Sequence, residues 1–342
     1  MQKRLSTILF LIGIAAVVVM LLTFDVSFTE LWHFIRRFSY WLIASVLLWG
    51  MLYGLNALAL RTIISDSGPC PISLGRLWQI IVSGFALNTT IPIGGIGGEP
   101  YRVMELSKYI GMERATSSVV LFAMTHVFSH FWFWLTAIVV YLIMVVAGQL
   151  TFPVVMQVVV IVALLLSLGG IYLFTRGYKY GLIRKTIRLV GKMPVLKGWS
   201  QRIEDKHGES LKRIDCQIAQ LKRQNGRAFY ESFFLGYFAR ILQSLEVLFV
   251  LLLFDNGMGR TFAGYVYAFI VAFLIIAFTS LIANLIGFIP LQMGGREGGF
   301  ALSVSAFGMT AELGLYISLI CRVREIIWAT IGLLLMRAFN NK

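Results

Sequence analysis

Apolar residues in this chain fall into long runs, at about 5–24, 39–60, 77–92, 115–147, 153–175, 229–254, 261–290 and 312–336. Most reach the roughly 20 residues that a helix needs to cross about 30 Å of hydrocarbon. The pattern predicts an all-α, polytopic transmembrane bundle of about six to eight membrane helices. The first run follows Met1-Gln2-Lys3-Arg4, is longer than a secretory h-region, and has no small-x-small cleavage site after it. It reads as a retained first helix that starts in the cytoplasm.

One long polar segment, 176–228, interrupts the runs and holds fourteen basic residues against four acidic ones. Basic residues gather in cytoplasmic loops, so this segment is expected on the cytoplasmic side, against anionic headgroups. Within it, Ile203, Leu211, Ile214, Ile218 and Leu221 give 200–224 the spacing of a surface amphipathic helix. Parity then becomes a test. With the N-terminus inside, five full crossings before residue 176 would place the basic segment outside. The conflict disappears if 77–92 and 99–110 are the two arms of a re-entrant hairpin. The 77–92 run is short and ends at Pro92 followed by glycines, which suits a broken helix.

The break has a counterpart. The first element reads Pro92-Ile-Gly94-Gly95-Ile-Gly97-Gly98-Glu99-Pro100-Tyr101-Arg102, and the second Pro290-Leu-Gln-Met-Gly294-Gly295-Arg296-Glu297-Gly298-Gly299. In both, a glutamate stands seven positions after the proline, with a glycine two positions before that glutamate. The match predicts an internal repeat: a first membrane half, 1–175, with a re-entrant element at about 77–110; the basic loop 176–228; and a second half, 229–342, with a broken element at about 281–308. Irregular backbone persists in a membrane only when buried in protein or lining a wet cavity. The returning half-helix points unpaired N–H groups and a positive dipole end at that cavity, and paired broken helices mark transporter sites. Glu99, Arg102, Arg296, Glu297 and Arg322 are the candidate substrate-binding residues, with Gly94, Gly95, Gly97, Gly98, Gly294 and Gly295 as cavity backbone. A plainer reading makes the glutamates helix-start residues with Arg102 and Arg296 as local partners. Whether the halves are parallel or inverted is open at this stage.

These two stretches, with Cys321-Arg322-Val323, resemble the transmembrane (flippase-like) domain of lysylphosphatidylglycerol synthases and its stand-alone relatives, over nearly the whole chain. The resemblance implies lipid translocation across the cytoplasmic membrane of a bacterium. The synthases carry a soluble aminoacyl-transferase domain after such a region. This sequence ends at Lys342, so transferase activity is not expected here.

Composition agrees and narrows the classes. The residues are 58% hydrophobic and 13% charged, against about a quarter charged in soluble domains, which excludes a globule with a polar coat. The net charge of +14 reads as cytoplasmic loops and anionic lipid, not nucleic acid. Cys70, Cys216 and Cys321 are scattered, with neither disulfide nor metal spacing. His126 and His130 stand at i, i+4 beside Thr125 and Ser129, without the glutamate of a zincin motif, and read as buried, hydrogen-bonded histidines. Arg240 and Glu246 lie in one apolar run and Arg322, Arg324 and Glu325 in another. Arg322 and Glu325 have the i, i+3 spacing of an internal pair, and Arg240, Glu325, His126 and His130 are secondary site candidates. Phe131, Trp132, Phe133 and Trp134 read as packing against lipid or neighbouring helices. No cofactor or metal is expected. The expected partner is a membrane phospholipid or polyprenyl-linked lipid, with self-association left open. A membrane-embedded transferase, or a scaffold for a lipid-modifying partner, are the alternatives to a transporter.

Overall fold

The computed structural model describes residues 28–90, 97–177, 226–253, 261–285 and 295–340. Every regular element among them is a helix: α1 (Phe28–Asp66), α2 (Leu74–Thr90), α3 (Gly98–Ile110), α4 (Met112–Val146), α5 (Val154–Gly177), α6 (Gly226–Leu253), α7 (Phe262–Leu285), α8 (Gly295–Ala306) and α9 (Ala311–Asn340). Five stretches, in α1, α4, α5, α6 and α7, are long and apolar enough to cross a membrane by length and composition. The helix α9 has the length, but Arg322, Arg324 and Glu325 sit at its middle. The first apolar run, Pro92, Gly94, Gly95, Pro290, Gly294 and the amphipathic stretch 200–224 lie outside the described residues.

Residue pairs give the direction of each helix. Trp41 meets Phe249, Ser45 meets Glu246, and Leu48 and Leu52 cluster with Ala239, so α1 and α6 are antiparallel. Thr125 meets Ser232, Ser129 lies against Gly236, and Thr136 meets Tyr237, so α4 and α6 run the same way. In the first turn of α4, Arg114 donates to the carbonyls of Ile64 and Gly68, which puts the end of α1 beside the start of α4. The helix α5 returns to that end, with Phe128 stacked on Phe174 and Tyr141 donating to the Thr151 carbonyl. Four crossings of the bundle, α1, α4, α5 and α6, are therefore accounted for, and α2 and α3 leave and return at one end.

That hairpin follows from small residues. Arg76 pairs with Glu105 at its open end, and Gly84 faces both Gly98 and Arg102 near its tip. A Cβ on Gly98 would overlap the Gly84 carbonyl, and one on Gly84 would lie 2.5 Å from Arg102 Nε. Glycine at both positions lets the arms touch while the guanidinium passes between them. In the second half, Thr279 bonds Ser303 and Gly299 lies on Thr279 and Ile282, making α7 and α8 a second antiparallel pair. Both returning helices are short, 13 and 12 residues, and lead through a positive-φ glycine, Gly111 at 80° or Gly308 at 76°, into a long helix of 35 or 30 residues.

Two large apolar clusters, with two smaller ones beside them, fill the interior among the described residues. One surrounds α7, buried through most of its length, with α4, α5, α6, α8 and α9; the other joins α1, α2 and α4, with Trp328 reaching in from α9. An ion pair pins the two together. Arg324, fully buried, donates from Nε and Nη2 to the two oxygens of Glu246, each at 2.9 Å. Glu246 also accepts from Ser45 and from Trp49 Nε1, and the guanidinium lies 3.8 Å over the Trp49 ring, so α1, α6 and α9 meet at one carboxylate.

Two outcomes follow. Glu246→Ala, which strands a buried guanidinium, should cost about 3–5 kcal/mol, while Glu246→Leu with Arg324→Met should recover most of it. Thermal unfolding in detergent measures both. Gly98→Ala should cost about 1–3 kcal/mol by overpacking, with Gly75→Ala, which meets open space, as the silent control.

Candidate functional site

The site grows from the first turns of α3 and α8. A helix that starts among packed neighbours leaves its first N–H groups without intrahelical acceptors. In the first hairpin Asn88, near the end of α2, supplies one: the Gly98 amide donates to its Oδ1 at 2.5 Å. The Asn88 amide turns the other way and donates to Glu99 Oε1 at 3.3 Å, which also accepts from Arg102 Nη1 at 3.0 Å. Asn88 thus ties the outgoing arm to the incoming one. The local Glu99–Arg102 pair expected from the sequence is present, one turn apart on α3. Arg102 lies 5.8 Å over the Phe122 ring of α4, and its Nε is buried without an acceptor.

The second element is organised across helices. Glu297, in the first turn of α8, accepts from Arg322 Nε and Nη2 on α9, at 2.9 and 2.7 Å. Its neighbour Arg296 reaches Glu325 and lies 5.9 Å from the Phe300 ring. Glu325 stands 3.6 Å from Arg324 as well, which joins this cluster to the Glu246 pin. The i, i+3 spacing of Arg322 and Glu325 makes a pair within α9 possible, and each of the two also reaches α8. The reason is that α8 folds back along α9 and offers an arginine and a glutamate side by side at its first turn. Among the described contacts Arg296 pairs with Glu325 and Glu297 with Arg322.

Exposure sorts these groups. The Glu99 side chain is 27% exposed against 9% for Arg102, and Glu297 is 33% exposed against 9% for Arg322. In both elements the glutamate side chain is the more exposed partner and the arginine the more buried one, although Glu99 Oε2 itself is buried without a hydrogen-bond partner. Gly97 and Gly98 sit at the first tip; of the second, Gly295 opens α8. Charge of either sign can be met here, because each arginine fork matches a phosphate and each glutamate matches an ammonium group.

The remaining candidates form a separate group. Neither histidine is buried as the sequence suggests, because their face of α4 is not fully covered by a neighbouring helix: His126 is exposed and His130 half-buried, their rings T-shaped at 5.7 Å. The His126 backbone carbonyl and the Ser129 hydroxyl accept from Arg240 of α6, at 2.9 and 2.8 Å. His130 Nδ1 is buried without a partner, so the hydrogen-bonded histidine expected there is not formed at that atom. No three His, Cys, Asp or Glu side chains among the described residues gather as a metal site would require. Sequence reasoning noted Glu246 and Arg324 as intramembrane charges but did not place them in the site; their weight comes from a contact 78 positions apart in the chain.

No curated protein and no solved structure gives a significant match to the sequence. A family match does exist and covers residues 8–332. With its helical bundle and its five apolar helices of membrane-crossing length, the chain is a multi-pass membrane protein, and it belongs to the family described as the lysylphosphatidylglycerol synthase TM region.

Proposed function

We propose that this chain moves a phospholipid, anionic or aminoacylated, or a lipid-linked headgroup, across the cytoplasmic membrane of a bacterium. The passage is lined by the two broken-helix elements, α2–α3 and α7–α8, which act as an internal repeat re-entering the bilayer. Family membership supports a lipid-handling role. The observation that carries the finer reading is the shared layering: a partly exposed glutamate at the start of a returning helix, backed by a buried arginine, at Glu99–Arg102 and again at Glu297–Arg322. Such charges at membrane depth face protein or water, and they mark substrate pathways.

Chemically, the two layers suit a headgroup that carries both signs. An ammonium group meets the more exposed partner of each pair, the glutamate, first. The arginine released from each carboxylate then offers its fork to the phosphate, and the ion pair re-forms when the headgroup leaves. Ion pairs are exchanged, none is left broken, and so a charged headgroup crosses without a bare charge in hydrocarbon. Arg296 supports this exchange by holding Glu325 beside Arg324, which keeps the α8–α9 contact in place.

The end of the bundle at which α1 finishes and α4 and α6 begin is the cytoplasmic one in this reading, because the basic segment 176–228 joins α5 to α6 there. Three partners of one test follow from the native cysteines. Cys216 within that segment, and Cys70 in the turn between α1 and α2, should react with a membrane-impermeant maleimide only from the cytoplasmic face, and buried Cys321 from neither. Labelling of Cys216 from intact cells would reverse the orientation.

Transport itself is read in liposomes. Purified protein should move phosphatidylglycerol and its lysyl ester between leaflets, and Glu99→Gln or Glu297→Gln should slow this about tenfold or more through loss of one charge-assisted contact. Exchanging the second pair, as Glu297→Arg with Arg322→Glu, should restore folding without restoring transport. Wild-type protein that moves neither lipid would overturn the proposal.

A further inference from the structure

Four arginines are buried among the described residues: Arg102, Arg240, Arg322 and Arg324. Three face a carboxylate: Glu99, Glu297 and Glu246. Arg240, 8% exposed at the middle of α6, faces none among the described residues. A guanidinium in that position is costly unless something charged or hydrogen-bonded completes it.

Its surroundings are arranged for an incoming acceptor. Arg240 Nε donates to Ser129 Oγ at 2.8 Å, and one Nη2 hydrogen goes to the His126 carbonyl at 2.9 Å. The Ser129 hydroxyl is itself spent on the same carbonyl, at 2.7 Å, which fixes its oxygen as the acceptor for the arginine. These neutral contacts hold one edge of the guanidinium. Of its five N–H donors, both on Nη1 and the second on Nη2 have no partner among the described residues. That edge is the one that matches two oxygens of a phosphate. The neighbouring face of α4 offers two imidazoles: His126, exposed, and His130, whose buried Nδ1 has no partner.

The histidines also connect this place to the first hairpin. Phe122, His126, His130 and Trp134 recur every fourth residue along α4, with successive rings 6.1, 5.7 and 5.5 Å apart. Arg102 lies over Phe122 at one end of the stripe, and Trp134 donates to Ser280 of α7 at the other. The eight positions from Phe122 to His130 correspond to about 12 Å along the axis.

We infer that Arg240, with His126 and His130, is a second binding site, which takes the phosphate monoanion of a phospholipid one step along α4 from the Glu99–Arg102 pair. The site lies deep in an apolar helix, which favours a lipid phosphodiester over free phosphate as its source. The inference goes beyond the transport reading and stands apart from it, since it concerns retention of a lipid and not its movement.

The full chain, reconstituted in nanodiscs of phosphatidylglycerol and transferred to the gas phase, should retain one more phosphatidylglycerol than Arg240→Gln does. The variant should keep its melting temperature, because no carboxylate loses a partner. Diacylglycerol, which lacks the phosphate, should not be retained at the site, and His126→Phe should weaken retention in the same direction. An equal lipid count in wild type and Arg240→Gln overturns the site, and displacement of the extra lipid by millimolar inorganic phosphate would assign it to the free ion and overturn the lipid assignment. Should Arg240→Gln fail to fold, Arg240→Lys decides: it keeps the charge but loses the fork, and apparent affinity should fall about tenfold. Unchanged affinity in the lysine variant refutes the inference. A chain that retains the lipid at Arg240 yet transports none refutes only the transport reading.

Discussion

Arg324 has no contact with solvent, and its Nε and Nη2 are held by the two oxygens of Glu246. A charge in that position cannot remain without a fixed partner, and the partner is on another helix, so the pair dictates how α6 and α9 approach. Ser45 and Trp49 of α1 complete the same carboxylate, which brings in a third helix. With α9 fixed at its middle, the turn at Gly308 folds α8 back along it, and Arg296 and Glu297 arrive opposite Glu325 and Arg322. The candidate cluster of the second half is thus positioned by a buried ion pair one helix turn away.

Much of this organisation was legible in the residues. Charge parity asked that 77–110 turn back, and α2 and α3 form an antiparallel hairpin with Arg76 and Glu105 paired at its open end; reading that hairpin as re-entrant is part of the proposal. The glutamates seven positions after Pro92 and Pro290 do start returning helices. What the sequence could not supply was the pairing across helices. Spacing alone put Arg322 with Glu325 and Arg296 beside Glu297, because contacts within a helix are the ones that periodicity can see. The structure crosses these partners, since each α8 residue meets α9 before it can reach along its own helix. Asn88 was equally silent: it stands ten residues before Gly98, and only the closing of the hairpin turns it into that amide's acceptor.

The two elements are matched in plan and unequal in supply. The first has a glutamate and an arginine within one turn of α3, steadied by an amide side chain from α2. The second draws its arginine from α9, and three further ion pairs back it, Arg296–Glu325, Arg324–Glu325 and Arg324–Glu246. A headgroup that displaces Arg102 needs only a side chain on a short helix to shift, whereas one that displaces Arg322 pulls on a helix anchored at Glu246. In the proposed passage the first element is therefore the adaptable half and the second the rigid one. Arg240 fits this division. It stands along α4 from the adaptable element, joined to it by the ring stripe from Phe122 to His130, and it lacks a carboxylate that would have to be displaced. A phosphate held at Arg240 displaces no ion pair, so a lipid can be retained there while the Glu99–Arg102 and Glu297–Arg322 pairs stay closed.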